Sequence, residues 1–234
     1  MISQDQGEIV DEFTPFGVYA FTTSRQVGSF STGSDEPVRE VMGRWDMVRR
    51  VASARGVGRL ATAAQVHGAK VIVHAPGWTG WLRGLDADGH VSAQRGTALA
   101  VTLADCVPVF IAHPSGAVAL LHSGWRGTAA RIVEQGIAAL AHRGFPEGEL
   151  RVHLGPAICG KCYEVSPDVI KQLTGETVSV PRTVDLRALI ADHARAMGVR
   201  HITISPSCTK HDNARFFSHR AGDRGRQVGV IFAE

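Results

Sequence analysis

Three short segments of this chain each place a metal-binding or nucleophilic side chain beside Gly or Asp. They contain His67 in Gln-Val-His-Gly, Cys106 in Ala-Asp-Cys-Val-Pro, and His122 in His-Ser-Gly-Trp-Arg-Gly. Two imidazoles and one thiolate form a three-ligand set that suits zinc, and the fourth position stays open, as catalytic zinc requires. A Cys beside a His is also the smallest nucleophilic pair. Both hypotheses place the chemistry at the same point.

The spacing of these three residues matches no short-range zinc motif. The residues next to them are better evidence for a functional site. Asp105 and Cys106 lie between two apolar runs typical of buried strands, where a charged side chain is costly unless it is paired or used. Asp105 is therefore a candidate to orient a ligand imidazole or to act on a substrate. The alternative is that both histidines are surface residues and that Cys106 is an ordinary buried side chain.

The segment from His122 to Thr128 joins a predicted strand to a predicted helix that Thr128 would cap. Free backbone N–H groups at a glycine-marked helix start bind anions. The guanidinium of Arg126 suits phosphate or carboxylate, and Trp125 is placed to stack on a flat ring. The alternative is a tight turn with Trp125 in the core and Arg126 in solvent.

Two further motifs supply a second set of soft ligands. They are Cys159-Gly-Lys-Cys162 and Cys208-Thr-Lys-His211. Together they contain the three Cys and one His of a structural zinc site. The first motif alone would also fit a redox pair, although no thioredoxin-like βαβ unit surrounds it. Small buried cysteines beside turns are the third interpretation, and the sequence leaves all three open.

The elements that must position these residues are strands and helices in irregular alternation. Strands are predicted at 16–22, 71–74, 97–103, 107–113, 117–121, 151–154, 201–204 and 228–232, and helices from about 36 to 56, 128 to 143, 168 to 173 and 186 to 197. Several strands in succession favour a mixed-sheet α/β or α+β fold over a regular doubly wound sheet. No repeat or linker divides residues 1–234, so one domain is expected. The Gly- and Ser-rich stretch 28–34 fits a mobile flap or a disordered turn.

Composition narrows the class of protein. The 234 residues are 44% hydrophobic and 20% charged, with a formal net charge of +3, which is ordinary for a globular protein. The arginines are scattered, so no basic stripe indicates nucleic acid, and no apolar run is long enough to span a membrane. The polar, acidic N-terminus is not a secretory signal. Four cysteines in a chain of this length form no disulfide framework, so the expected location is the reducing cytoplasm.

These segments together resemble the YfiH/laccase-domain family, whose members are also described as purine nucleoside phosphorylases or "polyphenol oxidases". The resemblance covers most of the chain from about Gln65 to Phe232. It rests on residues 65–68, 104–109, 122–128, 155–165, 208–209 and 216–220. The resemblance implies that His67, Cys106 and His122 bind zinc, with copper as the other metal that these ligands permit. It also implies a layered α/β/β/α fold.

The resemblance further implies an activity on small molecules. The reactions are phosphorolysis of adenosine, inosine and methylthioadenosine to the base and ribose 1-phosphate, and hydrolytic deamination of adenosine. Zinc would activate a water for deamination, with Asp105 as the nearest group for proton transfer. Arg126 would hold phosphate for phosphorolysis, and Arg44, Trp125 and Arg220 would contact substrate. We expect a monomer or a weak homodimer.

An older attribution in the family is copper-dependent oxidation of phenols. A multicopper cluster needs many histidines that converge on several metals, and one set of two His and one Cys is too small. A second hypothesis is a Cys-His amide hydrolase that edits cell-wall precursors, with Cys106 as the nucleophile and His122 as the base. A third is a binding or regulatory module without catalysis.

Two stretches depart from the family pattern, and both bear on the substrate pocket. The family's Gly-Gly-Val-Ser-type turn and Asn-Arg pair read Gln-Val-Gly-Ser at residues 26–29 and Gly43-Arg44. Its Phe-Phe-Ser-Tyr-Arg-Arg reads Phe-Phe-Ser-His-Arg-Ala at residues 216–221. We therefore expect the nucleoside specificity of this protein to differ from that of the family more readily than its metal ligands do.

Overall fold

Two mixed six-stranded sheets form the centre of the chain, of which this computed structural model describes residues 2–234. The strands of the first sheet are β1 (Gly7–Ile9), β2 (Val18–Thr23), β3 (Arg59–Ala63), β5 (Gly80–Gly84), β7 (Thr97–Leu103) and β14 (Gln227–Ala233). Those of the second are β4 (Val71–Val73), β6 (Gly89–Ser92), β8 (Val107–Ala112), β9 (Val118–Ser123), β10 (Arg151–Leu154) and β13 (His201–Ile204). The strand orders are β1-β2-β14-β7-β3-β5 and β13-β10-β8-β9-β6-β4.

Five helices cover the outer faces of the two sheets. They are α1 (Val38–Ser53), α2 (Trp125–Ala129), α3 (Ile132–Ala141), α4 (Pro167–Thr174) and α5 (Leu186–Ala196). A small two-stranded sheet joins β11 (Glu164–Val165) to β12 (Arg182–Thr183). Helix α1 packs on the first sheet, whereas α3 and α5 pack on the second. The layers are therefore helix, sheet, sheet and helix, which confirms the predicted α/β/β/α arrangement.

Alternation along the buried strands explains this layering. In β8, Val109 and Ile111 join the core under α3 and α5, whereas Phe110 between them joins the core that fills the space between the sheets. In β7, Leu99 enters that central core and Ala100 faces α1. Successive side chains of a strand point to opposite faces. A strand that is apolar on both faces is therefore held between two layers, as the continuous apolar sequences of β7 and β8 predict.

The sheet topology brings many connecting segments to one edge. Strands β3, β5 and β7 run parallel to one another, and β9 and β10 run antiparallel to β8. The C-terminal ends of β3, β5 and β7 therefore lie at the edge where the chain crosses to β4, β6 and β8 of the other sheet. Because β9, β10 and β13 also end at this edge, the segments that follow all six strands meet there.

Most predicted elements are present with small changes in their bounds. The predicted strands at 97–103, 151–154 and 201–204 match β7, β10 and β13, and the helices at 168–173 and 186–197 match α4 and α5 to within one residue at each end. Pro108 is the second residue of β8, close to the strand end where the missing N–H is tolerated. Strands β1, β3, β5, β6, β11 and β12 were not predicted. Of these, β11 and β12 have only two residues each, and β5 begins and ends with Gly.

The predicted helix from Thr128 to about Arg143 is wrong in its start and in its continuity. Helix α2 begins at Trp125, and Arg131 then adopts a left-handed conformation, with φ of 60°, before α3 begins. The hydroxyl of Thr128 donates back to the carbonyl of Gly124 at 2.9 Å instead of capping a helix. The two helices are thus separate.

The stretch 28–34, predicted as a flap or disordered turn, is anchored at its start. Ser29 and Phe30 are buried. The Phe30 ring meets the Trp45 ring of α1 edge-on at 5.2 Å, and the Trp45 indole donates to the Phe30 carbonyl. Aromatic packing therefore fixes the first half of this segment. No helix within residues 2–234 is long and apolar enough to cross a membrane.

His153 on β10 joins the second sheet to the N-terminal segment. Its ring nitrogens lie 3.6 Å from carboxylate oxygens of Glu8 and Glu12. Burial lowers the pKa of His153, but the two carboxylates outweigh burial and raise it above 6.5. Burial raises the pKa values of Glu8 and Glu12, but their contacts with His153 and nearby hydroxyls outweigh it and lower both below 4.5.

We expect these pairs to make stability depend on pH in a defined window. The His153 contribution is complete below pH 6.5 and is lost as the pH rises through the raised pKa. The carboxylate contribution is complete above pH 4.5 and is lost as the pH falls. Replacing His153 with Gln should therefore lower the free energy of unfolding most between these values, by about 1.5–3 kcal/mol. Urea unfolding at several pH values measures this.

The matched control is His201→Gln, because His201 is an exposed strand residue with no side-chain hydrogen bond or ion pair to any described residue. That variant should shift stability little at every pH. An equal loss in both variants, or a His153→Gln loss that is constant from pH 4 to pH 9, would contradict the assignment.

Candidate active site and metal centre

The three predicted ligands meet at the shared edge of the two sheets. The donor atoms of His67, Cys106 and His122 all lie within 4.8 Å of one another, and the two imidazole rings are 4.8 Å apart at 78°. His67 follows β3, Cys106 lies between β7 and β8, and His122 is part of β9, one residue before its end. Residues that are far apart in sequence thus form one group because the topology places their segments together.

Two non-glycine residues with positive φ shape the segments that carry these ligands. His67 has φ of 59°, and Asp105, immediately before Cys106, has φ of 81°. Left-handed backbone is uncommon for such residues and is maintained only where the surroundings determine it. At both positions the turn aims a side chain toward the other ligands. The strain coincides with the candidate site.

A buried carboxylate, Asp88, connects two of the ligands. It has no exposed surface, and its Oδ1 lies 2.8 Å from Nδ1 of His122. It also accepts hydrogen bonds from the backbone N–H groups of Val66, His67 and Gly68 at 2.7–3.1 Å. Because Nδ1 of His122 is occupied, Nε2 is the nitrogen directed at the site, as outer carboxylates commonly arrange in metal centres.

Asp88, and not Asp105 as predicted, is the carboxylate that orients the His122 imidazole. The carboxylate of Asp105 instead accepts from the Thr209 hydroxyl at 2.5 Å and from the Arg220 backbone N–H at 2.7 Å. Asp88 was missed because Asp86-Ala-Asp88-Gly has the composition of a turn, and only the crossing from β5 to β6 places Asp88 under His122. Asp105 lines the cavity described below, so its predicted part in proton transfer stays a prediction.

Electrostatics favours the thiolate form of Cys106. Burial raises the pKa of the Cys106 thiol, but the charge of His122 and hydrogen bonds from His122 and His67 outweigh burial and lower the pKa to about 6. Burial lowers the pKa of His122, but Cys106 and Asp88 raise it to about 9. A thiolate beside imidazoles is the form that binds a metal ion or attacks a carbonyl.

Gly124 leaves the space that the Cys106 sulfur occupies. A Cβ at Gly124 would stand 2.8 Å from Sγ of Cys106 and 3.4 Å from Cδ2 of His67. The backbone of Gly124 has φ of −83°, which any residue adopts. The requirement for Gly is therefore purely one of space beside the ligands.

The ligands open into a cavity of about 900 Å³. Four arginines line it, namely Arg83, Arg126, Arg220 and Arg226, whereas Asp105 is the one carboxylate in the lining that the structure describes. Five aromatic side chains also line it, namely Phe30, Trp45, Trp81, Trp125 and Tyr163. The cavity therefore combines positive charge for an anion with flat apolar surfaces for a ring.

Arg44, Trp125, Arg126 and Arg220 were predicted to contact the substrate or phosphate. The last three of these line the cavity. Arg126 is exposed, lies over the Trp125 ring at 4.6 Å, and has no hydrogen bond or ion pair to residues 2–234. The Arg220 side chain is tied to the carbonyl of Glu164 at 2.9 Å, so it forms part of the wall. The predicted roles of these residues toward substrate stay predictions.

Arg44 lies elsewhere. Its guanidinium donates to the Ser29 carbonyl at 2.8 Å and pairs with Glu36, and it does not line the cavity. Gly28 gives it room, since a Cβ there would stand 2.3 Å from Nε of Arg44. Arg44 thus holds the 28–30 backbone against α1, and its predicted contact with the substrate stays a prediction.

Tyr163 is a cavity residue that the sequence analysis did not single out. Burial raises the pKa of its phenol, and the nearby Cys106 thiolate adds to this, so that the pKa reaches about 12 despite the opposing charge of Arg220. The phenol is therefore a hydrogen-bond donor at neutral pH. Its place in the segment 155–165, directly after Cys162, was the available signal, and local pattern does not show which way such a side chain points.

Comparison with known proteins identifies the family. The family model described as "Multi-copper polyphenol oxidoreductase laccase" matches residues 29–234. The chain belongs to the YfiH/laccase-domain family. This finding confirms the resemblance seen in the sequence motifs.

Relatives with related sequences carry one recurring name. A Streptomyces griseus protein named "Purine nucleoside phosphorylase ORF3" is 34% identical over 73% of this chain and 72% of its own length. A Deinococcus radiodurans protein named "Purine nucleoside phosphorylase" is 33% identical over 91% of this chain and 88% of its own length.

Solved structures show the same fold. A Neisseria meningitidis protein superimposes with a TM-score of 0.84 at 27% identity, covering 98% of this chain and 99% of its own. YfiH of Bacillus licheniformis gives a TM-score of 0.86 over 100% and 98% of the two chains, and at 21% identity it supports the fold alone. Both similarities extend over the two sheets and all five helices described above.

We expect Asp88→Asn to weaken metal binding at the His67, Cys106 and His122 set. The amide would direct donor hydrogens toward backbone N–H groups that need an acceptor. Loss of such an outer carboxylate typically lowers metal affinity about 10- to 100-fold. Competition with a chromophoric chelator measures the affinity. Asp86→Asn is the control, because Asp86 is exposed and left-handed backbone tolerates Asn. Equal affinity in Asp88→Asn and the wild type would contradict the assigned role.

We also expect Gly124→Ala to displace the Cys106 sulfur and reduce bound metal. Overpacking of this kind costs about 1–3 kcal/mol. Gly43→Ala is the matched control, because Gly43 is exposed in α1 and its added Cβ would meet nothing within 4 Å. Helix propensity predicts a slight gain for that control, about 0.5–1 kcal/mol. Metal content and melting temperature of both variants distinguish steric displacement from a general effect of Ala, and unchanged metal in Gly124→Ala would contradict it.

Proposed function

We propose that this protein is a zinc-dependent purine nucleoside phosphorylase that acts on adenosine, inosine and methylthioadenosine, with hydrolytic deamination of adenosine as a second activity of the same site. The names of its relatives support the nucleoside class. The observation that carries the proposal is the cavity: a His-Cys-His ligand set opens into a space lined by four arginines and five aromatic side chains.

The donor set fits zinc. Two imidazole nitrogens and one thiolate are ligands that zinc takes in catalytic sites, and Asp88 gives the outer hydrogen bond that fixes His122. His67, Cys106 and His122 would hold the ion. When bound, zinc supplies a Lewis-acid charge that stabilises developing negative charge. The same three ligands also accept copper. Metal analysis of the purified protein distinguishes zinc from copper.

The arginines fit a phosphate co-substrate. Arg83 and Arg126 line the cavity without a hydrogen bond or ion pair to any described residue, so both guanidinium groups are available. Planar guanidinium groups match phosphate oxygens with two parallel hydrogen bonds. The cavity carries more positive charge than a neutral nucleoside needs. Phosphate as the second substrate accounts for that excess.

The aromatic side chains fit the purine. Trp45 and Trp81 form a pair of cavity-lining rings 5.2 Å apart, and Trp125 also lines the cavity, with Arg126 over its ring. Flat apolar rings stack on a purine base and tolerate different substituents on it. That tolerance suits an enzyme that takes adenosine, inosine and methylthioadenosine.

Phosphorolysis requires one bond to form and one to break. A phosphate oxygen forms a bond to C1′ of the ribose while the bond from C1′ to the purine nitrogen breaks, and its electron pair stays on the purine. The purine then takes one proton. The phosphate nucleophile releases that proton when it bonds to C1′. The phenol of Tyr163 keeps its own proton at neutral pH, because its pKa is raised to about 12, so it would serve as a hydrogen-bond donor in this wall. The carboxylate of Asp105 balances positive charge that develops on the ribose.

One observation favours a second candidate, an amide hydrolase that uses Cys106 as its nucleophile. Asp88, His122 and Cys106 are arranged like a catalytic triad, in which Asp88 would be the acid, His122 the base and Cys106 the nucleophile. The buried Asp88 carboxylate orients the His122 imidazole. His67 has no part in such a triad, whereas it completes a zinc set. Alkylation of Cys106 only after metal removal supports the zinc site, and full activity in chelator supports the nucleophile.

We expect zinc-loaded protein to convert inosine to hypoxanthine and ribose 1-phosphate only when phosphate is present, and to convert adenosine to inosine without phosphate. Cys106→Ser should abolish both activities, because it removes a ligand. Chromatography of the products measures each reaction separately. Zinc-loaded protein that forms no free base, no ribose 1-phosphate and no deaminated product would overturn the proposal.

Arg126→Ala should raise the KM for phosphate about 10- to 100-fold, which corresponds to the loss of hydrogen bonds to a charged group. The KM for the nucleoside should change less. Arg49→Ala is the control, because Arg49 is exposed on α1 and pairs only with Asp46. A rise in the nucleoside KM alone would assign Arg126 to the nucleoside instead of phosphate.

A further inference from the structure

We propose that Cys159, Cys162, Cys208 and His211 bind a second zinc ion, in a closed structural site that holds together two loops of the cavity wall. These four residues are distinct from the open His67, Cys106 and His122 group. The second site does not depend on an activity toward nucleosides.

The topology brings the two motifs together. Strands β10 and β13 are parallel neighbours, so the segments after them leave the sheet at the same edge. A parallel bridge between Ala157 and Cys208 continues the pairing beyond the strands, and the Thr209 N–H donates to the Ala157 carbonyl at 3.2 Å. Backbone hydrogen bonds therefore set the two motifs side by side before any metal is considered.

The donor atoms converge to distances close to those of a tetrahedral zinc site. All four lie within 4.8 Å of one another. Sγ of Cys162 is 3.1 Å from Nε2 of His211, and Sγ of Cys159 is 3.9 Å from Nδ1 of the same ring. Zinc bonds of about 2.3 Å to sulfur and 2.0–2.1 Å to nitrogen place tetrahedral donors roughly 3.5–3.8 Å apart. Small side-chain adjustments bring all four into that range.

The chemistry of the donors selects zinc and a structural role. All the cysteines of the chain are free thiols, and three thiolates with one imidazole are soft ligands that exclude calcium and magnesium. Four protein ligands leave no open position, in contrast to the His67, Cys106 and His122 set. Two different coordination types in one chain indicate two different tasks.

The surrounding backbone fits a metal thiolate site. The N–H of Cys159 donates to Sγ of Cys208 at 3.3 Å, which is the kind of outer contact that stabilises a thiolate ligand. A tight turn closes between Cys159 and Cys162, where the Cys162 N–H donates to the Cys159 carbonyl at 2.9 Å. Across the cluster, the Asp212 N–H donates to the Cys208 carbonyl at 2.8 Å. Each motif is thus pre-formed by its own backbone.

The site would act on the cavity through the residues beside the ligands. Tyr163 follows Cys162 and lines the cavity. Thr209 follows Cys208 and donates to the Asp105 carboxylate, and the Ile158 N–H donates to the Asp105 carbonyl at 3.0 Å. The Arg220 side chain donates to the carbonyls of Cys162 and Glu164. A zinc ion here would fix the positions of Asp105, Tyr163 and Arg220 without touching substrate.

A dithiol pair is the competing use of Cys159 and Cys162. A disulfide between them would leave Cys208 and His211 without a function, although their donor atoms are directed at the same point. The convergence of all four donors, and not of two, favours the metal. A disulfide in protein purified anaerobically without reductant would overturn the proposal.

Metal analysis by mass spectrometry of purified protein tests the proposal. We expect two zinc ions per chain in the wild type, one in Cys106→Ser, one in the double variant C159S/C162S, and none when the three substitutions are combined. Wild-type protein with one zinc that Cys106→Ser removes would overturn the second site. Wild-type protein with one zinc that C159S/C162S removes would overturn the first site and keep the second, so the two proposals fail separately.

Cobalt substitution gives a readout that does not depend on activity. In Cys106→Ser, bound Co²⁺ should show the intense thiolate charge-transfer and tetrahedral bands of three sulfur ligands, whereas C159S/C162S should show the weaker charge-transfer of one. Weak octahedral bands in Cys106→Ser would overturn the assignment.

If C159S/C162S fails to fold, His211→Ala in the Cys106→Ser background replaces it, because His211 is exposed. This variant should lose zinc to a chelator at least ten-fold more readily than Cys106→Ser alone. Lys210→Ala is the matched control, since Lys210 is an exposed neighbour and not a ligand. Equal retention of zinc by the His211 and Lys210 variants would overturn the site.

Discussion

Asp88 is a carboxylate with no exposed surface, and burying such a charge is costly unless several donors point at it. Three successive backbone N–H groups, from residues 66–68, and the His122 imidazole meet that requirement. The same four bonds fix the loop that carries His67 and the ring orientation of His122. The hydrogen bonds that compensate the charge of Asp88 are therefore the same ones that position His67 and His122. If Asp88 were absent, the donors would be left unpaired and both imidazoles would lose their register relative to Cys106.

This interaction exists only when the two sheets are packed together. Asp88 lies on the crossing from β5 to β6, and its three backbone partners lie on the crossing from β3 to β4. Its fourth partner, His122, lies in β9, and Cys106 lies on the crossing from β7 to β8. Each crossing leaves the first sheet at the shared edge and enters the second. The central core, in which Leu99 of β7 meets Phe110 of β8, sets the separation of the sheets. The positions of the ligands thus depend on apolar packing well outside the site.

The sequence predicts those parts of the molecule that local pattern determines. Strands β7 and β8 are apolar throughout, and the Asp105-Cys106 interruption between them marked the site because a charge is unexpected there. Strand β5 was missed because Gly80 and Gly84 at its ends have the composition of a turn. The helix predicted from Thr128 is interrupted at Arg131, because a left-handed backbone at an Arg cannot be predicted from the residue type. Asp88 could not be recognised, since its partners are set by the crossings between sheets and not by its neighbours. Arg44 shows the reverse case, in which a plausible cation is bound to Glu36 and a backbone carbonyl outside the cavity.

The arrangement of Asp88, His122 and Cys106 satisfies the geometry of a nucleophile as well as that of a metal ligand, so position alone does not separate the two. The second imidazole does, because a triad has no use for His67, and yet Asp88 accepts a hydrogen bond from the His67 backbone and so ties its loop to the same centre. The charge of the cavity points the same way. Arg83 and Arg126 are exposed cations of the cavity lining that pair with no described residue. A phosphate would pair with them, whereas a neutral amide would not. The number of candidate metal ligands and the positive charge of the cavity are independent properties of the site. Together they favour a metal-assisted reaction with an anionic co-substrate.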